Sequence, residues 1–471
     1  MKNLRKLVSL LLCVCMLLGM TALAEEAAAP AEEAAVVEVA ELAPEAVLAT
    51  VNGEELTWAD VEPIYENLAA QYASYYDLNQ PENVELFRAL AMDNAIVETL
   101  LMQKAVEFGL AELSAEEIAA LEATAQADWE GGIQNYLDYI YPDFSEETTE
   151  EEIAAAREEA IAYYNANGYS PESLSENYKR YAVMDKVQSM MLQDVTVTDE
   201  EIEALYQSLV AADKELYEND IAAYVAYNQQ VDMMAYYAMM YGSASEMDYA
   251  WYKPEGFRAV KHILLPVDEA LMAAYTDLQA RYEEQQSDAA AEETAEETTE
   301  EAAEPVTAEQ VNAAKAAALA SLAEKIDEIM QKVNEGADFD ELIATYGVDA
   351  EGNPSDPGMA NEPTKTTGYE VCAASSNYVP EFVEASMSIA EVGGVSAPYL
   401  SDFGVHIVKY IGDVAGGPIE MTDAQREAKR ASLLYTKQNE LYVTTMEGWL
   451  AESAIEYTGV VTDVNTLQAA Q

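Results

Sequence analysis

The hydrophobic residues of this chain recur at two spacings, and the spacing changes along its length. From Pro81 to Gly109, Phe87, Leu90, Val97, Leu101, Ala105 and Phe108 share one face of a helix that Pro81 starts and Gly109 ends. Before it, order is expected to begin at Val47: Asn52-Gly53 between apolar residues suits a tight turn, and Thr57 with Asp60 resembles a helix cap. Helical patterns continue to Asp194, broken at Asn167-Gly168 and Pro171. Thr198 with Glu201 opens another helix through a capping box. Far along the chain, Tyr435, Tyr442, Met446 and Trp449 form a helical stripe, for which the N-terminal helices are the expected host.

Between these helices the period shortens. Ala259 to Leu265 and Val405 to Ile411 are apolar, β-branched runs of strand length, and Gly368–Val371 and Val395–Leu400 read as shorter strands. Glu269 to Tyr282 is helical. Thr307 with Gln310 restarts a helix that runs to Asn334 and stops at Gly336, and Asp338 with Glu341 caps another through Tyr346. Residues 349–363 hold prolines and glycines enough to be loop, and Pro380 to Ser388 reads as helix. The order from Arg258 to Gly412 is β, α, α, β, α, β, β, which predicts one compact domain of strands and helices. The only two histidines in the 471 residues, His262 and His406, sit inside the two long strands. A buried imidazole needs a hydrogen-bond partner for each ring nitrogen, so the economical reading is that they partner each other.

Composition narrows the classes. The chain is 50% hydrophobic, enough for real cores in about two to four domains. Its net charge of −65 argues against nucleic acid and anionic membrane surfaces as partners. Residues 1–24 carry Lys2, Arg5 and Lys6, an apolar run, then Ala22-Leu23-Ala24, the pattern of a secretory signal peptide, with an uncleaved membrane anchor as the competing reading. Cleavage would leave Cys372 as the one cysteine and no internal disulfide. Residues 25–45 read as an acidic linker. Residues 288–305, Ala, Glu and Thr without an aromatic, read as a mobile insertion, with bounds of about 284–306. Tyr224 to Tyr241 is rich in tyrosine and methionine; it reads either as helix core with a tyrosine-decorated surface or as an adaptable apolar surface for unfolded clients. Two histidines and one mature cysteine build no usual zinc site. Asp349, Glu351 and Asn353 alternate like calcium ligands, but Pro354 stands where an EF-hand requires glycine. No metal and no cofactor are expected.

Four motifs in order carry a resemblance. Lys261-His262-Ile263-Leu264-Leu265, Asn334 to Leu342, Val379-Pro380-Glu381-Phe382 and Phe403-Gly404-Val405-His406-Ile407 together resemble the parvulin peptidyl-prolyl isomerases. Val51 to Glu54 and the helix ending Glu107-Phe108-Gly109 look like the N-terminal region of SurA-type and PrsA-type extracytoplasmic foldases. The resemblance implies an α+β fold: a parvulin-like domain, a four-stranded antiparallel sheet flanked by helices, attached to a mostly helical chaperone lobe formed by N- and C-terminal segments. The expected domains are 46–256 for the N-terminal chaperone region, 257–413 for the isomerase domain and 414–471 for a C-terminal helix packing on the N-terminal lobe.

The resemblance also implies roles. His262 and His406 would lie side by side under the substrate proline, with Asp349 near the position usually held by Cys or Asp. Phe382 matches the aromatic wall of the proline pocket, Tyr378 stands where the family often has Met, and Ser401 falls at a hydroxyl position. Phe403 is a further candidate for the wall. The family's Gly-Gly-Asp-Leu-Gly segment is replaced by Ser355-Asp356-Pro357-Gly358-Met359. Pro266-Val267-Asp268-Glu269 should repel phosphate, so unmodified X-Pro sites in unfolded or partly folded exported proteins are the expected clients. The implied protein is a secreted peptidyl-prolyl cis-trans isomerase and foldase of the bacterial cell surface or periplasm, with cell-wall or membrane association left open. The alternative is a non-catalytic holdase with a degenerate parvulin domain. A wall-associated adaptor whose acidic insertion binds cations is a third reading.

Overall fold

The computed structural model describes residues 41–144, 148–242, 247–291 and 305–469. The expected leader, all but the end of the expected linker, and residues 292–304 of the expected insertion lie outside the described residues. The chain divides into two compact units, Met1–Val197 with Ala428–Gln471, and Thr198–Glu427.

The first unit opens with β1 (Val47–Val51) and β2 (Glu54–Thr57), antiparallel about Asn52-Gly53. Both turn residues have positive φ, 52° and 86°, the conformation a two-residue hairpin of this hand demands. Helices α1 (Trp58–Tyr72), α2 (Pro81–Glu107), α3 (Ala115–Ile140), α4 (Glu150–Ala166) and α5 (Pro171–Leu192) follow. Thr57 and Asp60 make the reciprocal capping box of α1, and Pro81 and Pro171 stand in the first turns of α2 and α5, where a missing N–H is harmless.

The second unit holds α6 (Asp199–Tyr217), α7 (Ile221–Met240), β3 (Tyr252–Lys253), β4 (Phe257–Leu265), α8 (Glu269–Ala291), α9 (Ala308–Ser321), α10 (Ala323–Asn334) and α11 (Phe339–Tyr346). It continues through the single turns α12 (Pro357–Ala360) and α13 (Thr364–Thr367), then β5 (Tyr369–Val371), α14 (Pro380–Ser388), β6 (Tyr399–Ser401), β7 (Gly404–Val414) and β8 (Gly417–Pro418). The chain then returns to the first unit through α15 (Asp423–Glu452), β9 (Ile455–Tyr457) and α16 (Val464–Ala469), with β9 antiparallel to β1. On α15, Tyr442 and Met446 are buried against Val97, Leu101, Val183 and Val187, while Tyr435 of the expected stripe is exposed.

The central sheet is antiparallel in the order β5-β4-β7-β6, the α+β arrangement expected. Alternation gives it two different faces. Ile263, Leu265, Val405 and Ile407 pack under Tyr275 of α8, Val311 and Ala318 of α9, Ile326 and Ile329 of α10 and Leu342 of α11. Val260, Val408 and Tyr410 face α14 through Phe382, Val383 and Ala385.

Several details depart from expectation. The helix predicted from Thr307 to Asn334 breaks at Leu322, and the strand predicted over 395–400 is reduced to β6 plus a bridge from Val395 to Lys409. Helix α8 continues to Ala291, into the stretch read as insertion. Helices α6 and α7 and strand β3, assigned from the sequence to the N-terminal region, fall in the sheet-bearing unit. The reason is long-range pairing within that unit: β3 bonds to β8, and the Tyr206 hydroxyl donates to the Ile419 carbonyl at 3.1 Å.

Candidate active site

Register puts the polar residues of the sheet on one diagonal. His262 on β4 pairs with Val408, and His406 on β7 pairs with Leu264, so the two histidines share a face two residues apart in register. Tyr399 of β6 pairs with His406, which places Ser401 on that face; Val260 pairs with Tyr369 of β5, which adds Tyr369 at the other edge. The imidazole planes are nearly parallel, 11° apart, with centroids 5.1 Å apart and Nδ1 to Nδ1 at 2.9 Å.

Each outer ring nitrogen also has a partner. His406 Nε2 lies 2.6 Å from Ser401 Oγ, which itself accepts the Phe403 N–H at 3.2 Å. His262 Nε2 bonds to a carboxylate oxygen of Asp356. That carboxylate also accepts the Gly358 N–H at 2.8 Å and the Tyr369 hydroxyl at 2.9 and 3.0 Å. An ionised carboxylate only accepts, so His262 donates from Nε2, and in the uncharged ring its Nδ1 is the acceptor. His406 then donates from Nδ1 and accepts the Ser401 hydroxyl at Nε2. One polarity runs through the chain: Ser401 to His406 to His262 to Asp356.

Electrostatics agree with a neutral His406 ring. Burial pushes His406 down to about 3, helped by its neighbour His262 and opposed by Asp356. Burial also acts upward on the Asp356 carboxyl, but the His262 ring, the Gly358 N–H and Tyr369 outweigh it and the net direction is down. Burial and the Asp356 charge raise the Tyr369 phenol, which stays a donor.

Aromatic rings cover the pair. Phe382 lies 5.0 Å from His262 and 5.7 Å from His406 by ring centroids, Tyr378 packs 5.5 Å from Phe382 and 5.6 Å from Tyr369, and Phe382 is buried. Helix α14, which carries Phe382, is fixed at its C-terminal end by Arg258. One guanidinium nitrogen, Nη1, donates to the carbonyls of Ser386, Met387 and Ile389 at 3.2, 3.1 and 2.8 Å.

The structure brings His262, His406, Ser401, Phe382 and Tyr378 together and leaves two expected residues out. Asp349 is not on the histidines. Its carboxylate accepts the Glu351 and Asn353 N–H groups at 3.0 and 2.8 Å and the Asn353 side-chain amide at 3.0 Å, and these bonds, the Asn353 side chain first, hold it below its ordinary value. It closes its own turn. Phe403 contributes its backbone N–H, but its ring is 67% exposed because it sits in the tight connection between β6 and β7. Sequence reasoning missed Asp356, Tyr369 and Gly358. The available signal was the replaced glycine segment itself: a Cβ on Gly358 would stand 1.7 Å from the Tyr369 hydroxyl oxygen, so this position keeps its glycine for close approach. Among the described residues no cluster of histidine, cysteine and carboxylate side chains suited to a metal ion occurs.

Residues 305–412 match the rotamase family, described as the PPIC-type PPIase domain, a span that includes Asp356, Phe382, Ser401 and His406. The chain is similar to the foldase protein PrsA of Oceanobacillus iheyensis, 34% identical over 114 residues, 24% of this chain and 34% of that protein. It is similar also to PrsA of Clostridium botulinum strain 657, 35% identical over 81 residues, 17% of this chain and 24% of that protein. The matched region thus spans about a third or less of these relatives. Among solved structures, a SurA-like chaperone of Campylobacter jejuni aligns over 88% of this chain and 98% of its own, at 10% identity and a TM-score of 0.25.

Proposed function

With residues 305–412 a PPIC-type PPIase domain, in a chain that resembles the SurA- and PrsA-type foldases, we propose that the protein isomerises X-Pro bonds in unfolded exported polypeptides. The observation that carries this reading is the single-polarity chain Ser401, His406, His262, Asp356 lying under Phe382.

The chemistry asked of such a site is modest. Rotation about an X-Pro bond must give up amide resonance, a barrier of about 18–20 kcal/mol, without making a bond to carbon. The twisted amide has a less polar carbonyl and a more basic nitrogen. An aromatic wall of Phe382 and Tyr378 that strips water from the carbonyl disfavours the planar ground state more than the twisted one. Imidazoles with fixed tautomers present constant dipoles beneath the proline, whose amide nitrogen carries no proton to transfer. His262 and His406 are therefore assigned a shaping role, with Asp356 and Ser401 as positioning residues at the two ends.

The clients we assign are extended chains outside the cytoplasm, in keeping with the leader-like N-terminal sequence, where spontaneous X-Pro isomerisation takes roughly tens to hundreds of seconds. A second reading, a holdase that binds without turnover, is favoured by Tyr378 beside Phe382 and by Ser355-Asp356-Pro357-Gly358-Met359 in place of the family's glycine segment. NMR exchange on a short Ala-Glu-Pro-Phe peptide separates the two. Acceleration by the wild type that is lost in folded His406→Ala supports the isomerase. No acceleration by a protein that still suppresses aggregation of an unfolded client leaves the holdase.

A further inference from the structure

The polar residues of helix α7, Asn228 to Gln230 and Asp232, lie at its middle, and its two halves differ. In the first half Tyr224 packs against Tyr217 and Phe257 at 5.8 and 5.7 Å, and the Tyr227 hydroxyl donates to the Asp248 carbonyl at 2.9 Å. Val231 is its buried residue. Beyond it Met233, Tyr236, Tyr237, Met239 and Met240 are all exposed, Met239 to 73%, and Tyr241 just after the helix to 81%. The helix contains no Lys or Arg, and its one acid, Asp232, accepts the Tyr249 hydroxyl at 2.6 Å. A helix end carrying this many thioethers and aromatic rings is ordinarily covered by a core or a bilayer. Among the described residues the side chains named above stay exposed, and no described helix is long and apolar enough to cross a membrane.

Where this surface begins matters. Gln229 donates through its side-chain amide to Ser376 Oγ, in the 372–379 loop that carries Tyr378 to α14. The exposed half of α7 thus starts where the aromatic wall of the candidate site ends.

We propose that the exposed half of α7 is a second subsite for the same client chain. It would take aromatic and aliphatic residues several positions away from the proline at Phe382, and this rests on the isomerase reading above. From Gln229 to Tyr241 the helix rises about 18 Å, which an extended polypeptide covers in about five or six residues. Thioethers and phenol rings adapt to varied apolar side chains, and with Asp232 bonded to Tyr249 the only acid and no base present, charge imposes little register on what binds. A second copy of the chain is the poorer occupant, since two molecules of net charge −65 repel each other.

The test is NMR exchange on the short peptide and on two peptides of about sixteen residues, carrying Trp and Leu about five to ten positions before or after the proline. Wild type is compared with Met233→Ser/Tyr237→Ser/Met240→Ser, a variant of exposed residues outside the proline pocket. One of the long peptides should half-saturate the wild type at a concentration about tenfold below the short one, about the effect of burying one apolar side chain. The variant should lose that gain and keep the short-peptide rate. Equal behaviour of both proteins on both long peptides overturns the proposal. If the short peptide is not turned over at all, the isomerase reading fails, and anisotropy of a labelled long peptide still decides the subsite by whether the variant binds more weakly. A wild-type dimer that the variant abolishes, seen by sedimentation, assigns α7 to a second copy and overturns the proposal.

Discussion

Ser401 Oγ stands 2.6 Å from His406 Nε2, at the opposite end of the hydrogen-bond chain from Asp356. Both atoms are buried, so Ser401→Ala leaves the imidazole nitrogen without a partner. The expected loss is about 1–3 kcal/mol of stability by urea unfolding, with a smaller loss of exchange rate than His406→Ala. An unchanged midpoint would mean that water reaches the ring.

The two aspartates of the 349–363 loop should separate cleanly. Asp356→Asn puts an amide, which can donate as well as accept, against His262 and frees its tautomer. Exchange of the short peptide should slow by about tenfold to a hundredfold, the worth of a charge-assisted hydrogen bond read as a rate. Asp349→Asn should leave the rate unchanged and affect only the local turn. The reverse ranking would return Asp349 to the site.

Gly358 and Tyr369 should be coupled. Gly358→Ala drives a methyl into the Tyr369 hydroxyl and should destabilise by about 1–3 kcal/mol. In a Tyr369→Phe background the same substitution should cost less, since the nearest atom is gone. A double-mutant cycle with no interaction energy would show that the loop relaxes instead.

Acid should weaken the fold through His406. Its folded value is depressed to about 3, against an ordinary 6.5 that the unfolded chain retains. Below about pH 6.5 the unfolded state takes up a proton that the folded state refuses, so stability is full above that pH and falls as pH drops toward 3, by a few kcal/mol in order of magnitude. Urea midpoints of wild type and His406→Gln should therefore converge as pH falls from 7 to about 4. Parallel curves would show that the ring is protonated inside the fold.

What the sequence made legible was local or periodic. The capping boxes Thr57/Asp60, Thr198/Glu201 and Thr307/Gln310 each close within four residues, and all three form. The histidine pair was legible because two imidazoles in apolar strands leave few ways to satisfy their nitrogens. Asp356 was not, because its contact with His262 spans 94 residues and depends on how one loop folds; Asp349 offers the same carboxylate a few residues away. The ring of Phe403 read as wall because an aromatic beside a strand usually packs. Turn geometry sends it outward and keeps only its N–H at the site.

The pairing of β1 with β9 sets an order of events as the chain is made. Asn52 accepts the Ala454 N–H across 402 residues, so the first unit's sheet cannot close while the chain is still emerging. The second unit is one continuous stretch, Thr198–Glu427, and has all its strands before that closure. A chain delivered N-terminus first would thus present its histidine-bearing unit assembled while the N-terminal unit still waits for its third strand, so the sheet-bearing unit folds without help from the first unit's closure and the first unit closes last.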